Sequence, residues 1–370
     1  MAMMQKSSTA SPQGSLKRLP KGSPKRSPKI LVDSRWCGRY GIGRFATEVI
    51  EALPTLQPLS PGLAPYPFHK LDIPWTIAQI LYHRPQLFLS LGFNPPPWSP
   101  VPVVFTLYDL ILLHFPSEAN RLMQPYFRYI VRPAVRRAAY ILTCSEFSKQ
   151  EIMEWSGVTA EKIVVVGCGV DDHFSPTGPG IDLGFPYVLY VGNHRPHKNL
   201  PRLLAAFRQA RHLPPTLKLV LSGDPSPELE REIAALGLGD RVQFSGFIDD
   251  PDLPAYYRGA TALVFPSLYE GFGLPPIESM ACGTPVLTSN VTSLPEVVGD
   301  AALLVNPYNV TEIAQGIERI VGDLDLRSTL IDRGLHQAQQ HRWEKTVAKT
   351  DRVLRKVLDQ GEARSSKSNG

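Results

Sequence analysis

At 370 residues the chain exceeds the length at which a single hydrophobic core stops growing, about 250–300 residues, so two domains are expected. Its composition, 43% hydrophobic and 20% charged, is that of an ordinary globular protein, and no window approaches the ~20 uninterrupted apolar residues of a membrane-spanning helix. The net charge of +5 comes from residues 1–29, which hold seven Lys or Arg and no acid; the rest of the chain sums to −2 and gives no reason to expect nucleic acid as a partner.

Residues 1–29 are rich in Ser, Pro and Lys and lack an apolar h-region, so they are expected to be a disordered basic leader rather than a signal peptide. From Ile30 short apolar runs alternate with helical-period segments, the pattern of a parallel sheet wrapped by helices. The first set has strands at Ile30–Asp33, Leu87–Ser90, Pro102–Thr106, Ala139–Thr143 and Lys162–Val166, with helices at Arg44–Ala52, Glu118–Ala138 and Ser145–Ser156. These place one doubly wound, Rossmann-like domain at 30–171. Residues 172–184, which gather Pro, Gly and Asp, read as a linker. A second parallel α/β domain, at 185–342, has strands at Tyr187–Gly192, Leu217–Ser222, Val242–Ser245, Ala262–Pro266, Pro285–Thr288 and Ala302–Val305. Its helices are announced by a capping residue beside proline, as in Asn199-Leu-Pro201, Ser226-Pro227 and Asp250-Pro251. A helix at 343–358 is expected to cross back to the first domain, and 359–370 to be a frayed tail. The four cysteines (Cys37, Cys144, Cys168, Cys282) form no CxxC pair and read as buried thiols in a reducing cytoplasm.

Ligands of such sheets bind beyond the carboxyl ends of the strands, so chemistry is sought just after them. The strongest motif is Glu270-Gly-Phe-Gly-Leu-Pro-Pro-Ile-Glu278, directly after the Ala262–Pro266 strand. Gly271 and Gly273 allow close backbone approach or positive φ, and Pro275 or Pro276 suits the first turn of a helix that ends near Gly283. The N–H groups at that helix start favour a phosphate. Glu278, placed in the first turn, offers two oxygens to two ribose hydroxyls, and Glu270 stands at the loop entry. A structural alternative makes Glu278 a dipole partner and Glu270 a solvated loop residue.

This stretch resembles the E-x7-E signature of the family-4 retaining glycosyltransferases, whose GT-B fold sets two Rossmann-like domains face to face across a cleft. Gly41-Ile-Gly-Arg-Phe, Ser145-Glu-Phe-Ser, Gly169-Val-Asp171, Tyr190-Val-Gly-Asn-His-Arg-Pro-His-Lys-Asn199 and Asn290-Val-Thr-Ser-Leu-Pro-Glu-Val-Val-Gly-Asp300 are similar to a mannosyltransferase-like subgroup with a Gly-Ile-Gly-Arg loop. The resemblance spans roughly 30–346. It implies that Glu278 binds the donor ribose, while Glu270 and the amides of Gly271, Phe272, Gly273 and Leu274 hold the sugar and phosphate.

Lys198 falls in the turn after the Tyr187–Gly192 strand, where an ammonium meets a diphosphate and offsets charge on the leaving group. The resemblance puts an Arg five residues earlier; Asn193 occupies that slot, and Arg195 is the expected substitute. After Pro102–Thr106 the family often has His-Asp. Here Tyr108 replaces the His as a hydrogen-bond donor toward the sugar, and Asp109 is the candidate for orienting the acceptor hydroxyl. His114 reads as structural. Gly41-Ile-Gly43-Arg-Phe-Ala46 also fits a dinucleotide fingerprint, but seven residues separate Asp33 from Gly41 and no acid-tipped strand follows, so an oxidoreductase is disfavoured. Gly41 and Gly43 are taken instead as a loop approaching the donor phosphate or the acceptor.

The expected catalytic residues are therefore Glu270, Lys198 and Asp109, with no metal and no cofactor. The substrate is a GDP- or UDP-hexose, with GDP-mannose preferred, and the acceptor a saccharide or lipid-linked saccharide. Retention of configuration follows from the resemblance. The segment 120–139, with Arg121, Arg128, Arg132, Arg136 and Arg137, reads either as a half-buried helix with a solvated Arg face or as a basic segment in peripheral contact with the inner face of a membrane. The alternatives are a nucleotide-sugar-binding protein without transfer, or a nucleotide-sugar epimerase on the same fold.

Overall fold

The computed structural model describes residues 29–38, 41–60, 62–64 and 66–368, so the expectation for the basic leader lies outside the described residues except at Lys29. Two six-stranded, fully parallel sheets carry the chain. The first contains β1 (Ile30–Asp33), β2 (Leu56–Pro58), β3 (Leu87–Ser90), β4 (Val103–Thr106), β5 (Tyr140–Thr143) and β6 (Ile163–Val165) in the order β2-β1-β3-β4-β5-β6. The second contains β7 (Tyr187–Tyr190), β8 (Lys218–Leu221), β9 (Val242–Phe244), β10 (Ala262–Phe265), β11 (Val286–Ser289) and β12 (Ala302–Val305) in the order β12-β11-β10-β7-β8-β9. Central strands such as β1, β3, β7, β10 and β11 are buried at every residue. Helices cover both faces of each sheet, so these strands show no polar alternation.

The chain winds β7, β8, β9 to one side and returns to place β10 on the other side of β7. The crevice between β7 and β10 is thus the switch point of the second sheet, where such folds bind ligands. Residues 171–186, joining the sheets, carry neither helix nor strand.

Several local expectations changed. Edge strand β2 and the helix Asp72–His83 were missed. The expected helix Glu118–Ala138 is broken into a 3-10 turn at Pro116–Glu118, a short helix Met123–Tyr126, a π segment Phe127–Val131 and a helix Arg132–Arg137. Pro125 and Pro133 supply no N–H, so the regular ladder fails around them. Of the three capping readings, Ser226 accepts from Leu229 N–H. Asn199 instead adopts a left-handed backbone, and its amide donates to the carbonyls of Pro266 and Pro307. Asp252, not Asp250, precedes the helix Leu253–Gly259. The last helix does not stop at 358 but runs Trp343–Ser368; the last buried side chain among those described is Val357, and Gln360, Glu362 and Ala363 beyond it favour helix. It packs on the helix Ile42–Ala52 and on β3 of the first sheet. Cys37 is exposed, while Cys144, Cys168 and Cys282 are buried.

Candidate active site in the interdomain cleft

A cavity of ≈ 620 Å³ opens between the strand ends of the two sheets. Its floor is the loop after β10, which enters the helix Leu274–Ala281. Gly271 approaches the first domain so closely that a Cβ there would collide with the Asp109 carboxylate. Gly273 has φ +101°, and a Cβ would stand 2.6 Å from Leu294 Cδ2, so both glycines are required by geometry. Other segments with family-like sequence pin this loop. Ser293 Oγ donates to the carbonyls of Glu270 (2.8 Å) and Phe272 (3.1 Å), and Thr292 Oγ1 accepts from Glu270 N–H. From the first domain, Ser145 Oγ donates to Gly271 O at 2.8 Å. Glu296 in turn accepts the N–H groups of Glu146 and Phe147, capping a first-domain helix from the second.

The charged groups lie beside this loop. Lys198 Nζ stands 2.6 Å from Glu270 Oε1, with both side chains about nine-tenths buried and the ammonium over the Phe265 ring. The backbone of Lys198 belongs to a 3-10 turn, Pro196–Lys198, that follows β7. Glu278 is the fifth residue of its helix, one turn deeper than expected, and lines the cavity. Burial pushes its carboxyl up to about 7, opposed by a hydrogen bond from Tyr257, and Asp250 adds to the rise while Arg44 opposes it. Tyr257 Oη donates to Glu278 Oε2 at 2.8 Å, leaving Oε1 as the uncommitted oxygen.

Asp109, after β4, faces Gly271 from the first domain. Ile111 N–H donates to its Oδ1 at 2.9 Å. Burial raises Asp109 to about 6; the Ile111 bond and Lys198 act against that, and the charges of Glu270 and Glu151 act with it. Tyr108 lines the cavity, but its hydroxyl is already engaged. Its hydroxyl donates to Leu91 O at 3.0 Å, and its ring packs edge-on against Phe45. Burial holds that phenol well above its ordinary value, which removes it as a base. His114 pairs with Glu151 at 2.7 Å, outside the cavity lining.

The cavity lining thus brings together Gly41, Asp109, Lys198, Glu270, Gly271, Phe272, Gly273, Leu274 and Glu278. It does not include Gly43 or Arg195. A Cβ on Gly43 would stand 2.8 Å from Gly38 Cα, so this glycine serves backbone packing inside the first domain. Arg195 is extended just ahead of the Pro196 turn and its side chain is exposed; Asn193 lines the cavity in its place. Sequence reasoning missed Arg44, which pairs with Asp171 and reaches Asp250 of the second domain at 3.2 Å. It also missed Tyr257 and Glu118, whose partners lie 21 and 79 residues away along the chain. Only the Arg of the Gly-Ile-Gly-Arg loop carried a local signal.

Among the described residues no group of three or more His, Cys, Asp or Glu is placed to hold a metal ion. Residues 41–174 match the family model described as Glycosyltransferase Family 4, and residues 173–337 match that of Glycosyl transferases group 1. The O-antigen chain mannosyltransferase B of Escherichia coli is 34% identical over 286 residues, covering 73% of this chain and 72% of that protein. The chain belongs to the family-4 glycosyltransferases. The serotype-specific mannosyltransferase WbdA of Escherichia coli is 30% identical over 298 residues; the match covers 75% of this family-4 chain but only 36% of that longer protein. Sucrose-phosphate synthase from Thermosynechococcus elongatus superposes with a TM-score of 0.75 at 23% identity, covering 90% of this chain and all of that one, which shows the shared GT-B fold. The first and second sheets are therefore the two halves of a GT-B glycosyltransferase, and the cleft is the space between them.

Proposed function

We propose that the enzyme transfers mannose, with retention and without a metal, from GDP-mannose to a saccharide or lipid-linked saccharide of a growing surface polysaccharide. The carrying observation is the Lys198–Glu270 pair at the β7/β10 switch point, set against the Gly271–Leu274 loop and opposite Asp109. A donor diphosphate seated there replaces one carboxylate charge on Lys198 with about two, and each unit charge at ~4 Å is worth up to about 4 kcal/mol at an effective dielectric near 20. The ammonium therefore exchanges Glu270 for the diphosphate, releasing Glu270 toward the sugar hydroxyls. Glu278 Oε1 takes a ribose hydroxyl, with Tyr257 holding the other oxygen. As the bond to the anomeric carbon breaks, Lys198 and the loop amides stabilise the departing nucleoside diphosphate. The acceptor attacks on the face the leaving group vacates, oriented by Asp109, and the departing phosphate oxygen takes its proton.

Mannose is preferred because the two Escherichia coli relatives above are named as mannosyltransferases, one of an O-antigen chain and one serotype-specific. Peripheral docking on anionic lipid is part of the same reading: Arg121, Leu122, Arg128 and Tyr129 are exposed together beside the broken helix of the first domain. No helix among the described residues is long and apolar enough to cross a membrane.

The test is nucleotide release from a panel of GDP- and UDP-hexoses, with and without α-mannoside or lipid-linked acceptors, combined with donor binding to Lys198→Ala and Glu278→Ala. GDP release from GDP-mannose that needs an acceptor supports transfer. Conversion of the sugar without an acceptor would instead identify an epimerase, and binding without release a non-transferring protein. Unchanged donor affinity in both variants would remove the assigned site.

A further inference from the structure

The turn that carries Lys198 is held from both domains. From the second, Leu268 N–H donates to His197 O at 2.7 Å and Asn199 is tied to the end of β10. From the first, Glu118 in the Pro116–Glu118 turn takes the backbone N–H of His197 at 2.8 Å and its Nδ1 at 2.6 Å. The Glu118 side chain is 1% exposed and that of His197 5%. Burial, with Lys198 and Arg195 nearby, holds His197 down to about 3, so the imidazole is neutral and its Nδ1–H is the donor.

Glu118 does not line the cavity and touches no group used in the proposed chemistry. A buried carboxylate is costly unless hydrogen-bonded, and these donors to Glu118 belong to the opposite domain. Separating the domains returns Glu118 to water and leaves the Lys198 turn tethered from one side only. We infer that Glu118 is a positioning residue that couples domain closure to the placement of Lys198, by clasping His197 across the cleft.

This rests on the reading of Lys198 as the diphosphate seat. A donor that binds the second domain alone does not feel Glu118, whereas the closed, reacting state does. In the full-length enzyme, Glu118→Ala is expected to lower acceptor-dependent GDP release at saturating GDP-mannose at least tenfold, with the GDP-mannose dissociation constant moved less than threefold. Glu118→Gln, which still accepts an N–H, should recover part of that rate. The double variant Glu118→Ala/His197→Ala should be no slower than Glu118→Ala alone. A fluorophore pair across the cleft should report a smaller closed fraction in Glu118→Ala with GDP-mannose bound.

Retained affinity shows that the second domain of each variant is folded. If GDP-mannose binds normally and Glu118→Ala turns over within twofold of wild type, or if its loss lies wholly in donor affinity, the inference fails alone. If wild type does not bind GDP-mannose, or Lys198→Ala binds it unchanged, the donor-site reading fails and takes this inference with it.

Discussion

The two walls of the cleft are built by different means. The second-domain wall is a loop with two obligatory glycines and a helix start, held still by Ser293 and Thr292, with the charged side chains of Lys198, Glu270 and Glu278 set beside it. The first-domain wall meets that loop with side chains from separate strand ends, Asp109 after β4 and Ser145 after β5. In the proposed function the second-domain wall takes the donor, whose phosphate and ribose are constant features, and the first-domain side chains take the acceptor. That reading separates binding from chemistry, and substitutions on each wall test the separation.

The largest effect is expected from Asp109→Asn, which should lower transfer about 10²-fold while leaving GDP-mannose affinity within a few-fold. The same variant carries a stability signature. A carboxyl raised in the folded state to about 6 from its ordinary 3.8 holds its proton more tightly when folded, so its ionisation costs stability as pH climbs between those values, and the whole cost is present above them. Urea melts should therefore show Asp109→Asn more stable than wild type by about 1–2 kcal/mol at pH 8, with the gain gone at pH 3.5. Loss of donor binding in this variant would break the division between the walls.

Gly271→Ala strikes where the walls meet. Its Cβ must displace Asp109, so transfer should fall on the order of tenfold, with about 1–3 kcal/mol of stability lost in a thermal or urea melt. An unimpaired Gly271→Ala would show that Asp109 has another working position.

Glu278 sharpens the binding side. With its carboxyl at about 7 and the ionised form the better acceptor for a ribose hydroxyl, GDP-mannose affinity should rise with pH through 7 and level off above it. The diphosphate diester of GDP-mannose does not titrate in this range, so calorimetry across roughly pH 6–8.5 isolates the residue. Glu278→Gln should lose about tenfold in affinity at pH 8 and show no slope with pH. A slope that survives in Glu278→Gln assigns the titration elsewhere.

The smallest effect belongs to Tyr108→Phe. Its hydroxyl serves Leu91 O, so the variant should lose about 1 kcal/mol of stability and change transfer by less than about twofold. A large loss of turnover would return Tyr108 to the substrate.

Much of the second wall was legible in the sequence because its determinants are local. Glu270, Gly271, Gly273, Leu274 and Glu278 sit within nine residues directly after an apolar run, and proline and glycine mark the turn and the helix start. The same locality misled where a rule had two outcomes. Asp250 beside proline looked like a cap but serves Arg44 across the cleft, and Gly43 looked like a ligand-facing glycine but packs on Gly38. Arg195 was close in number to the slot it was meant to fill, yet the Pro196 turn leaves it facing solvent.

By itself the sequence determined the two parallel α/β sheets, the position of the Glu270–Glu278 loop after a strand, and Lys198 and Asp109 as the charged groups of interest. Period, turn chemistry and spacing act over a few residues and are written along the chain. Only the tertiary structure decided that Lys198 is paired with Glu270, that Tyr257 holds Glu278, that Tyr108 is spent on Leu91, and that Glu118 clasps His197 from the other domain. Those pairings join residues 17 to 79 positions apart, and a hydrogen bond or a desolvated charge depends on which surfaces folding brings face to face.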